Sequence, residues 1–470
     1  MLAEIMQTVK AIDPELKVTI NFAALYPKKI RDMLDYQFTE PWAGNWLSAA
    51  YSRDTAKGQY PQLGPGDVSE VYNFRPDAVY ELAAAQIAAQ GCRVFMYSGS
   101  QHVDGTLEHT EAAKVGKAYA EIKKFEAWLT DRTPHADVAV IQSDRSSMAR
   151  SGTDVVMYSI GRCKKSDLHR EAILGAMKLL DGSKYSWRIL PEQEATVEEL
   201  LRHKLVILAG TYSISEELKE ALLAFKAQGG KIICDSECGL YEADGTHRAD
   251  FAVPEITGCH YEKDLDRYQS ADWGAYIHMK EDALWKYMPD TFPPVGPVQM
   301  GVTTEKAVPG FFRRPSTELT ETAWVNWWCP PPEMEDTPHP AVVEGEGTLY
   351  FAFDLFRGVN AGLNLLQNLF NGAIEKLVPQ PSIRLETEHP EAVGFAVYDR
   401  GDKMIVHVLS QLAEKINGEP PVIEAGKIRL DRPVKAAKLV YPEEKALEVL
   451  ADGSIVLPPI RIHEVVEVEA

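Results

Sequence analysis

Basic residues are scarce in this chain of 470 residues: 49 Lys and Arg stand against 69 Asp and Glu, a formal net charge of −20. No nucleic-acid partner is therefore expected, because a sequence-independent hold on DNA or RNA neutralises phosphates with Lys and Arg. The acidity itself serves solubility. Long apolar runs are also missing. No uninterrupted span is long enough to cross a bilayer and no basic, apolar leader opens the chain, so no membrane partner is expected and a cytoplasmic protein is. Cysteine is sparse, and six residues without a repeated spacing argue against a disulfide framework. Cys234, Cys238, Cys259 and His260 can be set out as zinc ligands, but the C-x-x-x-C spacing is loose. Neither a metal site nor a cofactor is expected.

What is present suits a large globular protein. A hydrophobic content of 45% supplies ordinary cores, and at ~150 residues per domain the length predicts two to four of them. The most informative stretch runs from Leu200 to Gly239. Leu205 to Gly210 is an apolar, β-branched run ending in Gly; Ser213 to Lys226 reads as an amphipathic helix with Ser213 at its cap and Glu216 three residues on. Gly229-Gly230 ends that helix, and Lys231 to Cys234 is a second buried run. Strands alternating with helices in this way predict a parallel sheet covered on both faces.

The wording from Leu218 to Gly258, "LKEALLAFKAQGGKIICDSECGLYEADGTHRADFAVPEITG", resembles the trimerisation domain of family-42 β-galactosidases and of related glycosidases, some of them α-L-fucosidases. The resemblance implies a flavodoxin-like fold of the class I glutamine amidotransferase kind. It is continued by Gly345-Glu346-Gly347, by Tyr350-Phe351, by Asp354 to Phe356 and by a helix expected from Asn360 to Leu377. Amidotransferase chemistry is not expected. It needs a Cys on a strained strand-to-helix turn with His and a carboxylate in reach, whereas Cys234 lies inside a buried run and Cys238 in a loop beyond it. A structural, oligomerising role follows instead, and the resemblance implies a homo-oligomer, expected as a trimer.

Three regions are expected. In residues 1–133, helices are predicted at Glu4 to Ile12, Val79 to Gln90 and Glu111 to Leu129, with strands at Lys17 to Asn21, Tyr36 to Thr39, Tyr60 to Leu63 and Cys92 to Tyr97. This β-then-α order, with polar and aromatic residues after each strand, predicts the C-terminal part of a (β/α)8 barrel. A complete barrel takes about 250 residues, so its N-terminal half is expected to be missing. Residues 134–379 form the amidotransferase-like domain, opening with a strand at Asp137 to Ile141 and carrying an aromatic, Pro-rich insertion at about 261–340. Residues 380–470 alternate short β-branched runs with the turn pairs Gly401-Asp402, Asn417-Gly418 and Asp452-Gly453, which predicts a small antiparallel β-sandwich. The wording of this region is similar to the C-terminal β domain of the same glycosidases.

Three clusters are candidates for a sugar site. The first is Thr39-Glu40-Pro41-Trp42 with Asn45 and Trp46, following a strand at the presumed barrel rim, where barrel sites lie. Glycoside hydrolysis uses two carboxyl groups flanking the scissile bond, and an aromatic ring beside one of them can stack on a sugar; packing of Trp42 under a loop is the plain alternative. The second is Gly64 to Asp67 with Glu70, Tyr72 and Asn73, whose carboxylates are Asp67 and Glu70. Counting does not decide which of these two clusters ends the barrel's seventh strand, where the family's nucleophile lies; the family's general acid, after strand 4, would fall before Met1. The third is Tyr97 with Gln101, His102 and Asp104, polar groups straight after a buried strand that suit hydroxyl ligands, or else an exposed loop. Glu40 and Glu70 are the expected catalytic carboxylates. Two functions remain open: a glycosidase acting on β-galactoside- or α-L-fucoside-type carbohydrates, and a catalytically silent carbohydrate-binding or oligomerisation subunit.

Overall fold

Period-two apolar runs, short helices and Gly-marked turns assemble here into two compact units. Residues 1–136, 184–189 and 382–470 make the first, and residues 137–183 and 190–381 the second. The computed structural model describes residues 2–56, 62–63, 69–70, 73–96, 101–151, 167–265, 274–280, 286–287, 291–296, 298–316, 331–412 and 420–470, with backbone alone at 62–63, 69–70 and 73.

In the first unit, strands Phe38–Thr39, Gln62–Leu63 and Arg93–Val94 pair in parallel, with Thr39 beside Leu63 and Leu63 beside Val94. No closed barrel occurs among the described residues. Helix Asp77–Ala89 is buried around most of its circumference. Val79, Tyr80, Ala83 and Ala84 pack with Ala118 of helix His109–Phe125, while Ala85, Ala88 and Ala89 meet a different core. An all-round apolar helix of this kind is a core element. The strand expected at Lys17 to Asn21 is absent. There the Val18 N–H donates to the Asp35 carboxylate at 2.8 Å and the Thr19 hydroxyl to the Tyr36 carbonyl at 2.8 Å, so side chains take bonds that a strand ladder would have made. The strands expected at Tyr36 to Thr39 and Cys92 to Tyr97 are shorter than the sequence suggests, at Phe38–Thr39 and Arg93–Val94.

The C-terminal residues of the same unit form two antiparallel sheets. One pairs Ile383–Glu386, Lys427–Leu430 and Ile455–Val456; the other runs Lys445–Ala446, Ala436–Tyr441, His463–Glu469, Lys403–Ser410, Val393–Arg400 and Thr133–Pro134. Alternation explains why the middles of strands Val393–Arg400 and Lys403–Ser410 are mostly apolar on both faces. Phe395, Val397, Val406 and Val408 face the other sheet, whereas Ala396, Tyr398, Ile405 and Leu409 pack with Trp46, Ala89 and Phe125. A strand buried on both faces has no polar side to show. The Asn417-Gly418 turn pair lies outside the described residues.

The second unit is built on a mixed sheet. Within this unit its order runs Pro294–Val295, Ala275–Met279, Ala307–Arg313, Pro340–Gly345, Thr348–Phe351, Lys231–Asp235, Leu205–Leu208 and Val138–Gln142. The last four of these are parallel neighbours, and the first five pair antiparallel. The expected insertion thus supplies sheet strands. Helix Glu216–Ala227 is capped by Ser215, whose side chain accepts from the Leu218 N–H, and not by Ser213. Ser213 is fully buried and is held by Arg145 and Ser146 instead. The helix expected from Asn360 to Leu377 is two, Leu355–Asn360 and Leu365–Leu377, broken at Gly362, where φ is +83°. Among the described residues no helix is long and apolar enough to cross a membrane.

Candidate functional site

The first predicted cluster begins at the carboxyl end of strand Phe38–Thr39, one of the three parallel strands of the first unit. Glu40 directly follows strand Phe38–Thr39 and is half-buried. Its Oε1 accepts a hydrogen bond from Asn21 Nδ2 at 3.1 Å. The chain reaches that position through a left-handed residue, Phe22 at φ +54°, whose N–H is in turn held by the Asn21 side-chain oxygen at 2.8 Å. Asn21 was not among the sequence candidates, because it falls in the run that reads as a strand. Its only signal is an amide side chain at the end of a β-branched stretch.

Trp42 is half-buried and meets the Tyr51 ring edge-on, with centroids 5.3 Å apart. Its backbone N–H is fixed by the Ser48 hydroxyl at 3.0 Å. The indole nitrogen is buried and has no hydrogen-bond partner among the described residues. A buried donor left without an acceptor costs about 1–3 kcal/mol. Phe38, on one outer strand, and Phe95, just after the other, meet edge-on at 5.2 Å, and Phe95 remains exposed.

The rest of the first cluster belongs to the core. Trp46 is 5% exposed and packs with Ala85, Phe125 and Leu409, and its indole lies against Gly394. Helix Gly44–Thr55 turns that face inward, so the expected rim role for Trp46 gives way to packing. Asn45 is buried beside it at 4% exposure.

In the second cluster, Ser69–Glu70 and Asn73–Phe74 form an antiparallel hairpin. The side chains of Glu70 and Asn73, and all of Asp67 and Tyr72, lie outside the described residues, as does Tyr97 of the third cluster. The remainder of the third cluster is an exposed turn. Gln101 bridges to Leu107, and the His102 N–H donates to the Thr106 carbonyl at 2.8 Å. The Asp104 carboxylate accepts from the Thr106 hydroxyl and N–H, which holds it below the usual carboxylate range. Gln101, His102 and Asp104 are all exposed, and the turn's own hydrogen bonds occupy Asp104.

The second unit offers no activated thiol among its described cysteines. Cys234 is fully buried inside its strand, and burial pushes its thiol well above the ordinary value. The strained position after that strand, at φ +49°, is held by Ser236, itself fully buried. Cys238 and Cys259 are buried free thiols, and His260 pairs with Asp250 at 2.6 Å.

Comparison with solved structures places this geometry in a known fold. An α-L-fucosidase isoenzyme 2 from Paenibacillus thiaminolyticus superposes with a TM-score of 0.78 at 19% identity, over 99% of this chain and 70% of its own. The β-galactosidase from Bacillus circulans sp. alkalophilus gives 0.65 at 15% identity, over 98% of this chain and 65% of its own. Gan42B, a GH42 β-galactosidase from G. stearothermophilus, gives 0.64 at 14% identity, again over 98% of this chain and 65% of its own. This chain therefore has a GH42-like glycosidase fold and spans about two thirds of the length of these proteins. No protein-family model and no curated protein matches the sequence.

Proposed function

We propose that this chain is a carbohydrate-active protein of the glycoside hydrolase kind, acting on β-galactoside- or α-L-fucoside-type sugars with Glu40 as one of two paired carboxylates and Glu70 as the candidate second. The observation that carries the reading is the strand rim, where a carboxylate oriented by Asn21 neighbours in sequence an indole whose buried N–H has no acceptor among the described residues. A carboxylate supplies the acid, base or nucleophile of glycoside cleavage. Trp42 supplies a ring face to a sugar. In this proposal residues 1–133 are the C-terminal part of a (β/α)8 barrel, residues 134–379 an amidotransferase-like trimerisation domain, and residues 380–470 a β-sandwich.

Binding at the rim is tested by a pair of variants. Trp42→Ala weakens sugar binding by ~1 kcal/mol or more through loss of the ring, measured by titration calorimetry, while Cys234→Ala leaves it unchanged. Equal affinity in both variants removes the rim from the proposal.

A second reading is favoured by the three parallel strands found among the described residues, since a closed barrel encloses its site with eight. In that reading the chain binds sugar and assembles without turning it over. Both readings predict a homo-oligomer built on the second unit. Light scattering on the 52.4 kDa chain should return a mass near that of a trimer, and a monomer at micromolar concentration would falsify the assembly claim.

A further inference from the structure

A second polar cleft lies wholly within the second unit, at the carboxyl ends of its parallel strands, where open α/β sheets bind ligands. Arg145 opens helix Asp144–Ser151 just after strand Val138–Gln142; Glu192 directly follows Leu190-Pro191; Ser215 caps helix Glu216–Ala227 beyond strand Leu205–Leu208. These three side chains and an apolar wall of Val197, Leu218 and Ala221 surround a volume of about 710 Å³. That lies within the ~300–1,000 Å³ of small-molecule sites.

The polar groups are held in place and retain unused capacity. Glu192 is 9% exposed, and its two oxygens accept from the Ser143 hydroxyl at 2.5 Å and the Ser215 N–H at 3.3 Å. An ionised carboxylate offers about four acceptor sites, so two stay open. Arg145 is anchored through Nε to the Ser213 hydroxyl at 3.0 Å. Its two terminal nitrogens make no hydrogen bond to a described residue.

Charge selects the ligand class. Among the described residues Glu192, Glu217 and Glu220 line the cleft against Arg145 alone, and the Glu192 carboxylate already holds the helix N-terminus where an anion would settle. Phosphates and carboxylates are therefore disfavoured. Adjacent hydroxyls satisfy both ends: they donate to the carboxylate and accept from the guanidinium, while the C–H face of a sugar ring covers the apolar wall. We propose that this cleft is a binding site for a neutral mono- or oligosaccharide, distinct in residues and chemistry from the Glu40 rim.

The experiment is saturation-transfer NMR and calorimetry on the full chain, with galactose, fucose and lactose as neutral probes, spermidine as an amine and inorganic phosphate as an anion. Ala224→Trp fills the cleft without removing a polar bond, and Arg145→Met removes the open donors. Each variant is expected to keep the wild-type melting temperature and to weaken a sugar at least about tenfold, with Trp42→Ala leaving that component intact. Unchanged sugar affinity in both cleft variants, binding of spermidine or phosphate in place of the sugars, or no sugar binding at all overturns the proposal. If affinity falls only in Trp42→Ala, the rim reading survives and this one does not. Loss confined to the cleft variants supports this site and removes the rim.

Discussion

Glu40→Gln is expected to lower kcat on nitrophenyl β-galactosides or α-L-fucosides by roughly three orders of magnitude, as loss of a general acid or base does. The substitution keeps the shape of the side chain and an oxygen that can accept from Asn21, so the melting temperature should hold. Only the proton or the nucleophile is removed. Wild-type turnover with an undiminished Gln variant rules out Glu40 as the catalytic carboxylate. No turnover in the wild type on a broad glycoside panel, with sugar still bound, leaves the binding-only reading.

The largest stability effect is expected at Gly175. This residue lies in the buried face of helix Leu168–Ser183, and a Cβ added there would run into the backbone carbonyl of Phe356 in helix Leu355–Asn360. A flexible side chain could move aside; a helix backbone yields only if the two helices separate. Gly175→Ala should therefore cost about 3 kcal/mol, the upper part of the overpacking range. Gly116 is the internal contrast. It lies on the exposed face of helix His109–Phe125 with open space where a Cβ would be. Gly116→Ala should stabilise by about 0.5–1 kcal/mol, since Ala loses less conformational freedom on folding. Denaturant melts of the two variants measure both. Equal midpoints would mean that the helices at Gly175 are not closely apposed.

Much of the second unit was legible in the sequence because its signals are local. Leu205–Leu208 is a short apolar run closed by Ala209-Gly210, and Ile232 to Cys234 is another opened by Gly229-Gly230, and the short length, β-branched content and flanking glycine favour a buried strand in each. The C-terminal strands were legible for the same reason. Strands Val393–Arg400 and Lys403–Ser410 flank the Gly401-Asp402 turn pair that the sequence displays. Shorter or less apolar elements were not: Lys427–Leu430 alternates charged and apolar residues, and only its pairing with Ile383–Glu386 identifies it as a strand.

The candidate site divides along the same line. The sequence by itself determined that a carboxylate and an indole follow a strand at Thr39 to Trp42, because residue type and short spacing carry that information, whereas the expectation of a glycosidase-type chain rested on the resemblance carried by Leu218 to Gly258. Tertiary structure alone decided that Trp42 borders the rim while Trp46, four residues on, lies in the core, since which face of helix Gly44–Thr55 turns inward depends on what packs against it. It also decided that Ser215 caps its helix because Ser213 is held by Arg145 and Ser146. Glu40 likewise acquired Asn21 as its partner only through folding. The contact spans 19 residues and a left-handed turn, and nothing in the local pattern of either residue encodes it, because hydrogen bonds between distant side chains follow from the path of the backbone and not from the residues beside them.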